Sequence, residues 1–219
     1  MYENDIKITG PMKTKITNDW LAEFPGYKKE NPVCFCKRVG PLLITIGYEV
    51  RYSTDIRMGC SLFNLANPLD FTCGNLYTIP KSRRYSLTWE QHEKGLYKEA
   101  VGELKELFPI PLEGPITLTQ VFEGYKKYVA NNHSFSDRHF KDSALVAAWA
   151  RRPDKAQEYL DWGYEAYQEA KIYKPIPIEE WHRNMQARIA NPEALRKTVE
   201  EQIEHHKLGK IPYQELIID

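Results

Sequence analysis

Between Val33 and Ile79 the apolar positions recur every second residue. In PLLITIGYEVRY, Ile44, Ile46, Tyr48, Val50 and Tyr52 alternate with Thr45, Gly47, Glu49 and Arg51. That pattern turns one face to a core and the other toward water, as in an antiparallel sheet. Gly40-Pro41 separates this run from VCFCKRV, and Asn67-Pro68 separates MGCSLFNLA from DFTCGNLYTI, pairs that punctuate strands. The reading is four strands, at roughly 33–39, 42–52, 57–65 and 70–79, with a short helix around Ile16 to Phe24 ahead of them.

After PKSRR the period becomes helical. Trp89, Leu96, Ala100, Leu104 and Leu107 share one stripe between Thr88 and Leu107, with glutamates and lysines opposite. Prolines 109, 111 and 115 end that helix, because proline cannot continue one. A second helix is expected from about Thr117 to Ala130, and a third, capped by Ser136, through DRHFKDSALVAAWARR. Pro153 opens a fourth at its first position. KPIPIEEWHRNMQARI and Asn191-Pro192 begin two more, the latter an N-cap followed by proline.

Strands followed by helices, without alternation, predict an α+β fold. An antiparallel sheet of about four strands spans residues 1–86 and a helical half spans 87–219. Short connections predict a single domain over 1–219.

Composition narrows the function classes. The chain of 219 residues carries 30 basic and 30 acidic residues, 15 and 13 of them before Pro111 and 15 and 17 from there on. Neither half has the positive field that phosphate-backbone binding requires, so nucleic acid is an unfavoured partner. MYENDIKITG lacks a basic segment followed by an apolar one, so no secretory signal is expected. No run approaches the roughly 18–20 apolar residues of a membrane span. The expectation is a cytoplasmic protein with no membrane partner and with reduced cysteines.

Candidate chemistry is sparse. Cys34 and Cys36 are two apart and point to one strand face, which Cys60 and Cys73 can reach from neighbouring strands. Four thiolates can hold zinc or an iron–sulfur cluster. Cys-x-Cys within a strand presents sulfurs poorly for tetrahedral coordination, so no metal and no cofactor is expected. His133, Asp137, His139 and Asp142 cluster in NHSFSDRHFKD. With His92 they supply the alternative reading, a small metal-dependent or acid–base hydrolase. Glu201 and His205, four apart near a helix end, read as a structural pair. KSRRY reads as a solvated turn. Nucleophile elbows and phosphate-cradling glycine loops are absent from the sequence.

The most informative stretch is DKAQEYLDWGYEAYQEA. At 100° per residue, Ala156, Tyr159, Leu160, Gly163, Ala166, Tyr167 and Ala170 cover one side of a helix, their small members permitting close approach. Glu158, Asp161, Glu165 and Glu169 fall within about 80° on the other side, with Trp162 at the edge. Residues 153–170 carry five carboxylates against Lys155 alone, in a neutral chain. Like charges four apart each cost a few tenths of a kcal/mol, so folding alone does not favour the stripe. Glu158, Asp161, Trp162, Glu165 and Glu169 are therefore the expected partner-binding residues. Tryptophan is the anchor and the carboxylates steer encounter.

GPLLITIGYEV followed by a helical half with ALVAAWARRPDKAQEYLDWG resembles, in architecture, the bacterial immunity proteins of toxin–antitoxin and contact-inhibition systems. The resemblance spans most of the chain and implies that the protein binds and neutralises one cognate toxin, a basic protein domain, without catalysis or cofactor.

Overall fold

A computed structural model describes residues 6–68, 76–78 (backbone only), 86–131 and 137–219. It shows the α+β order. After helix α1 (Gly10–Ala22) come strands β1 (Lys28–Asn31), β2 (Cys34–Val39), β3 (Leu42–Arg51), β4 (Asp55–Asn64), β5 (Leu76–Thr78) and β6 (Ser86–Leu87). Strands β1 to β5 are antiparallel neighbours in sequence order, and β6 pairs with the start of β4. Of the expected fourth strand, 76–78 pairs as β5; residues 70–75 and 79 lie outside the described residues, as does KSRRY.

From Ile44 to Tyr48 the alternation sorts the side chains as the pattern requires, whereas Val50 is half-buried and Tyr52, in the turn beyond β3, is 88% exposed. Ile44, Ile46 and Tyr48 of β3 register with Leu62, Cys60 and Met58 of β4, and all six are buried. Along this face lie the Lys13 carbonyl of α1, which accepts from Tyr48 Oη at 2.7 Å, and the Leu112 carbonyl, which accepts from the buried Lys37 Nζ at 2.8 Å. Phe24 meets Phe35 there at 5.6 Å between ring centroids. The other face carries Thr45, Gly47, Glu49, Gly59 and Ser61.

The helical half comprises α2 (Trp89–Glu93), α3 (Tyr97–Leu107), α4 (Leu118–Asn131), α5 (Arg138–Trp149), α6 (Pro153–Glu169), α7 (Ile178–Ile189) and α8 (Pro192–His205). The single helix expected over 88–107 is two. Gly95 takes φ +80 between them, a conformation glycine adopts without a Cβ penalty. Leu96, expected on the apolar stripe, is left 38% exposed at this break. Ser136, the expected cap of α5, lies outside the described residues. Asn191 caps α8 as expected, its side chain accepting from Ala194 N at 3.0 Å.

Helices α5 and α6 approach closely. Gly163 packs so near the Phe140 backbone that a Cβ on it would lie 1.9 Å from the carbonyl oxygen. A buried polar network ties this layer to the sheet. Asn64 Nδ2 at the end of β4 donates to the Asp142 carbonyl at 3.1 Å, and Asn67 Nδ2 donates to Asp142 Oδ1. The chain then returns to where it began: β8 (Tyr213–Gln214) pairs parallel to β2, and β9 (Leu216–Ile217) pairs parallel to β7 (Ile116–Thr117). Among the described residues, no helix is long and apolar enough to cross a membrane.

Candidate functional site

Helix α6 starts at Pro153, whose fixed φ and missing N–H suit the first turn. It ends at Glu169, beyond which Ala170 is extended. Ala156, Tyr159, Leu160, Gly163 and Tyr167 are buried. The pressure to bury these residues against α4 and α5 turns the opposite carboxylates outward: Glu158, Asp161, Glu165 and Glu169 are all exposed.

Their surroundings differ. Glu158 accepts from Lys155 Nζ at 2.9 Å. Asp161 Oδ1 accepts from Gln157 Nε2 at 2.6 Å and stands 4.0 Å from His182 Nε2. Glu165 and Glu169 have no ion-pair partner among the described residues. Glu179 and Glu180 are exposed in the first turn of α7, which packs beside α6 through Tyr167 and Trp181, ring centroids 5.0 Å apart.

Trp162 is half-buried, its ring edge-on to Phe122 of α4 at 5.4 Å between centroids. Part of the indole packs on the molecule and part faces outward beside the carboxylates. Sequence reading missed Tyr173, in the α6–α7 connection four residues beyond Glu169 and 86% exposed. The only hint was an aromatic within KIYKPIP, where no helical period required one.

The described histidine candidates lie in two places. His133 lies outside the described residues. His139 is buried and stacked on Tyr128, centroids 5.0 Å apart. Asp142 is fully buried, with Tyr125 Oη 3.4 Å from its Oδ2, and burial raises its pKa to about 7. Asp137 ion-pairs with Lys141. His92 sits in a different place, stacked between Trp89 and Tyr97 and near Asp19 of α1.

For the cysteines the structure makes one correction. Cys34 and Cys36 share a face, as strand geometry requires, but Cys60 points to the opposite one. Cys36 registers with Thr45 and Ser61, whereas Cys60 registers with Ile46 and Phe35. Cys73 lies outside the described residues. In place of Cys60, Glu30 joins the pair, its Oε2 standing 3.6 Å from Cys34 Sγ and 3.2 Å from Cys36 Sγ. Beside them the sheet face forms a trough of about 250 Å³ lined by Cys34, Thr45, Gly47, Glu49, Arg57 and Gly59. Cys34, Gly47 and Gly59 are paired neighbours across three strands, so a row of small side chains leaves the space.

No family model matches the chain, and neither curated proteins nor solved structures give a match.

Proposed function

We propose that this is a non-catalytic binding protein that docks a basic protein surface on the outward side of α6, in the manner of an immunity protein neutralising its cognate toxin in the bacterial cytoplasm. One observation carries the reading: four carboxylates of one helix are exposed together while the helix's other face is buried, and two of them, Glu165 and Glu169, lack a compensating cation among the described residues. Such a surface attracts a cationic partner over several ångströms and raises its association rate by roughly 10–1000-fold when many charges act together. Trp162 and Tyr173 supply aromatic area at its border, the residue type on which binding energy concentrates.

The test begins with capture of a basic protein from the native host by the wild-type chain. Its binding kinetics are then compared for wild type, Glu165→Gln/Glu169→Gln and a Glu200→Gln control on α8. The α6 variant slows association roughly three- to tenfold at low salt, with the difference fading as salt screens it, while the control does not. Co-expression with the captured protein restores growth if that protein is a toxin. Unchanged association of the α6 variant at low salt overturns the docking face; capture of a partner whose toxicity the chain does not relieve overturns the immunity assignment.

A further inference from the structure

Strand β1 contains an irregularity that aims a carboxylate at two thiols. Lys28 and Lys29 register with Cys36 and Phe35, but the next paired residue, Asn31, is already opposite Cys34. Glu30 is therefore the extra residue of a β-bulge, a feature that re-aims side chains. Its Oε2 and the two Sγ atoms form a triangle with edges of 3.2, 3.6 and 3.6 Å. A tetrahedral zinc ion, with Zn–S near 2.3 Å and Zn–O near 2.1 Å, requires S–S edges of about 3.8 Å and S–O edges of about 3.6 Å. The triangle fits within about half an ångström, and two sulfurs with one oxygen is a donor set suited to zinc.

Among the described residues the cluster also has no cation of its own. Glu30 has no ion-pair partner among the described residues, and Lys28, directly across from Cys36, sends its ammonium to the Lys210 carbonyl at 3.3 Å. Another group of potential ligands, Asp19, His92 and Glu93, differs in this respect. There Lys15 Nζ already reaches both carboxylates, at 2.6 and 3.0 Å.

We propose that Glu30, Cys34 and Cys36 form a zinc site, with two thiolates and one carboxylate oxygen as ligands and the fourth position open to the trough beside Cys34 and Thr45. Thr45 Oγ1 stands 3.5 Å from Cys36 Sγ, placed to hydrogen-bond a ligand sulfur. Zinc takes thiolate ligands, so binding releases thiol protons to solvent and affinity rises with pH. This departs from the expectation that a Cys-x-Cys strand holds no metal. It is independent of the α6 docking surface, and neither test bears on the other.

The test is titration of the reduced, chelator-treated full chain with cobalt(II), followed by zinc competition. The expected result is one equivalent of tetrahedral cobalt with a thiolate charge-transfer band, displaced by zinc. Glu30→Gln changes an exposed side chain, keeps the circular dichroism of the wild type, and weakens binding about tenfold or more. Cys34→Ser and Cys36→Ser diminish the charge-transfer band, whereas Cys60→Ser, on the other face, retains it. Absence of the band in folded wild-type protein at excess cobalt overturns the site, as does a Glu30→Gln variant that binds as tightly as wild type, or loss of the band in folded Cys60→Ser. Should a cysteine variant fail to fold, Glu30→Gln decides.

Discussion

Replacing Asp142 with asparagine should stabilise the protein, and increasingly so as pH rises. The carboxyl group is fully buried where α5 meets the end of β4. Burial lifts its pKa from 3.8 to about 7, against the opposing pull of Lys141 and Arg138. Because the folded state holds this proton more tightly than the unfolded chain, folded stability is full below pH 4. It is lost progressively as pH rises toward 7 and is level above that. At about 1.4 kcal/mol per tenfold change in proton affinity, the loss at pH 8 is about 4 kcal/mol. Asparagine cannot ionise and keeps an oxygen to accept from Asn67 Nδ2, whose own oxygen accepts from Arg188 at 2.7 Å. Its amide group takes the place facing Tyr125 Oη. Urea unfolding of wild type and Asp142→Asn at pH 4 to 8, with unchanged m, should give a stability difference near zero at pH 4. That difference should reach a few kcal/mol in favour of the variant by pH 8. Parallel pH profiles would refute the claim that Asp142 is charged at a cost in the fold.

Two glycines and a histidine supply further tests. Gly163→Ala forces α5 and α6 apart and should cost about 2 kcal/mol despite better helix propensity. Gly102→Ala in α3 meets nothing within 4 Å and should stabilise by about 0.5–1 kcal/mol. Thermal melts that shift the same way for both would contradict the packing argument. Among the described residues neither ring nitrogen of buried His92 has a hydrogen-bond partner, and burial lowers its pKa. The unfolded chain therefore binds the proton better, and stability falls as pH drops below about 6.5. His92→Gln should flatten that acid limb in unfolding experiments between pH 7 and 5; an unchanged slope would place the acid sensitivity elsewhere.

Local periodicity alone was enough for the middle of the sheet and for most helices. Strand β2 buries residues on both faces, but β3 alternates from Ile44 to Glu49 and β4 from Asp55 to Met58, so a period of two is legible in both. The same holds for α6, where the positions of the buried and charged faces follow from 3.6 residues per turn. The exposure of Glu158, Asp161, Glu165 and Glu169 was thus legible, because a helix that buries one face has no choice about the other. Strand β1 was not: KKEN has no apolar alternation, and its strand state comes from hydrogen bonds to β2. Strands β8 and β9 are two residues each and exist only by pairing with segments far away in the chain. Gly95 broke a helix that the apolar stripe carried straight through.

The chemistry-bearing clusters depended most on tertiary structure. His139 and Asp142 looked like polar residues near a helix start, yet the packing of α5 buries both, and burial is what moves Asp142 toward pH 7. Cys34 and Cys36 share a face by local geometry alone. Whether Cys60 joins them is set by the register between strands, since a slip of one residue exchanges faces, and the observed register sends it away. Glu30 reaches the two thiols only through a bulge, an irregularity with no periodic signature. Sequence by itself determined which residues of an element lie together, because that depends on backbone repeat distances. Which elements meet, in what register and with what buried, was decided by the fold, because those contacts join residues that no local pattern relates.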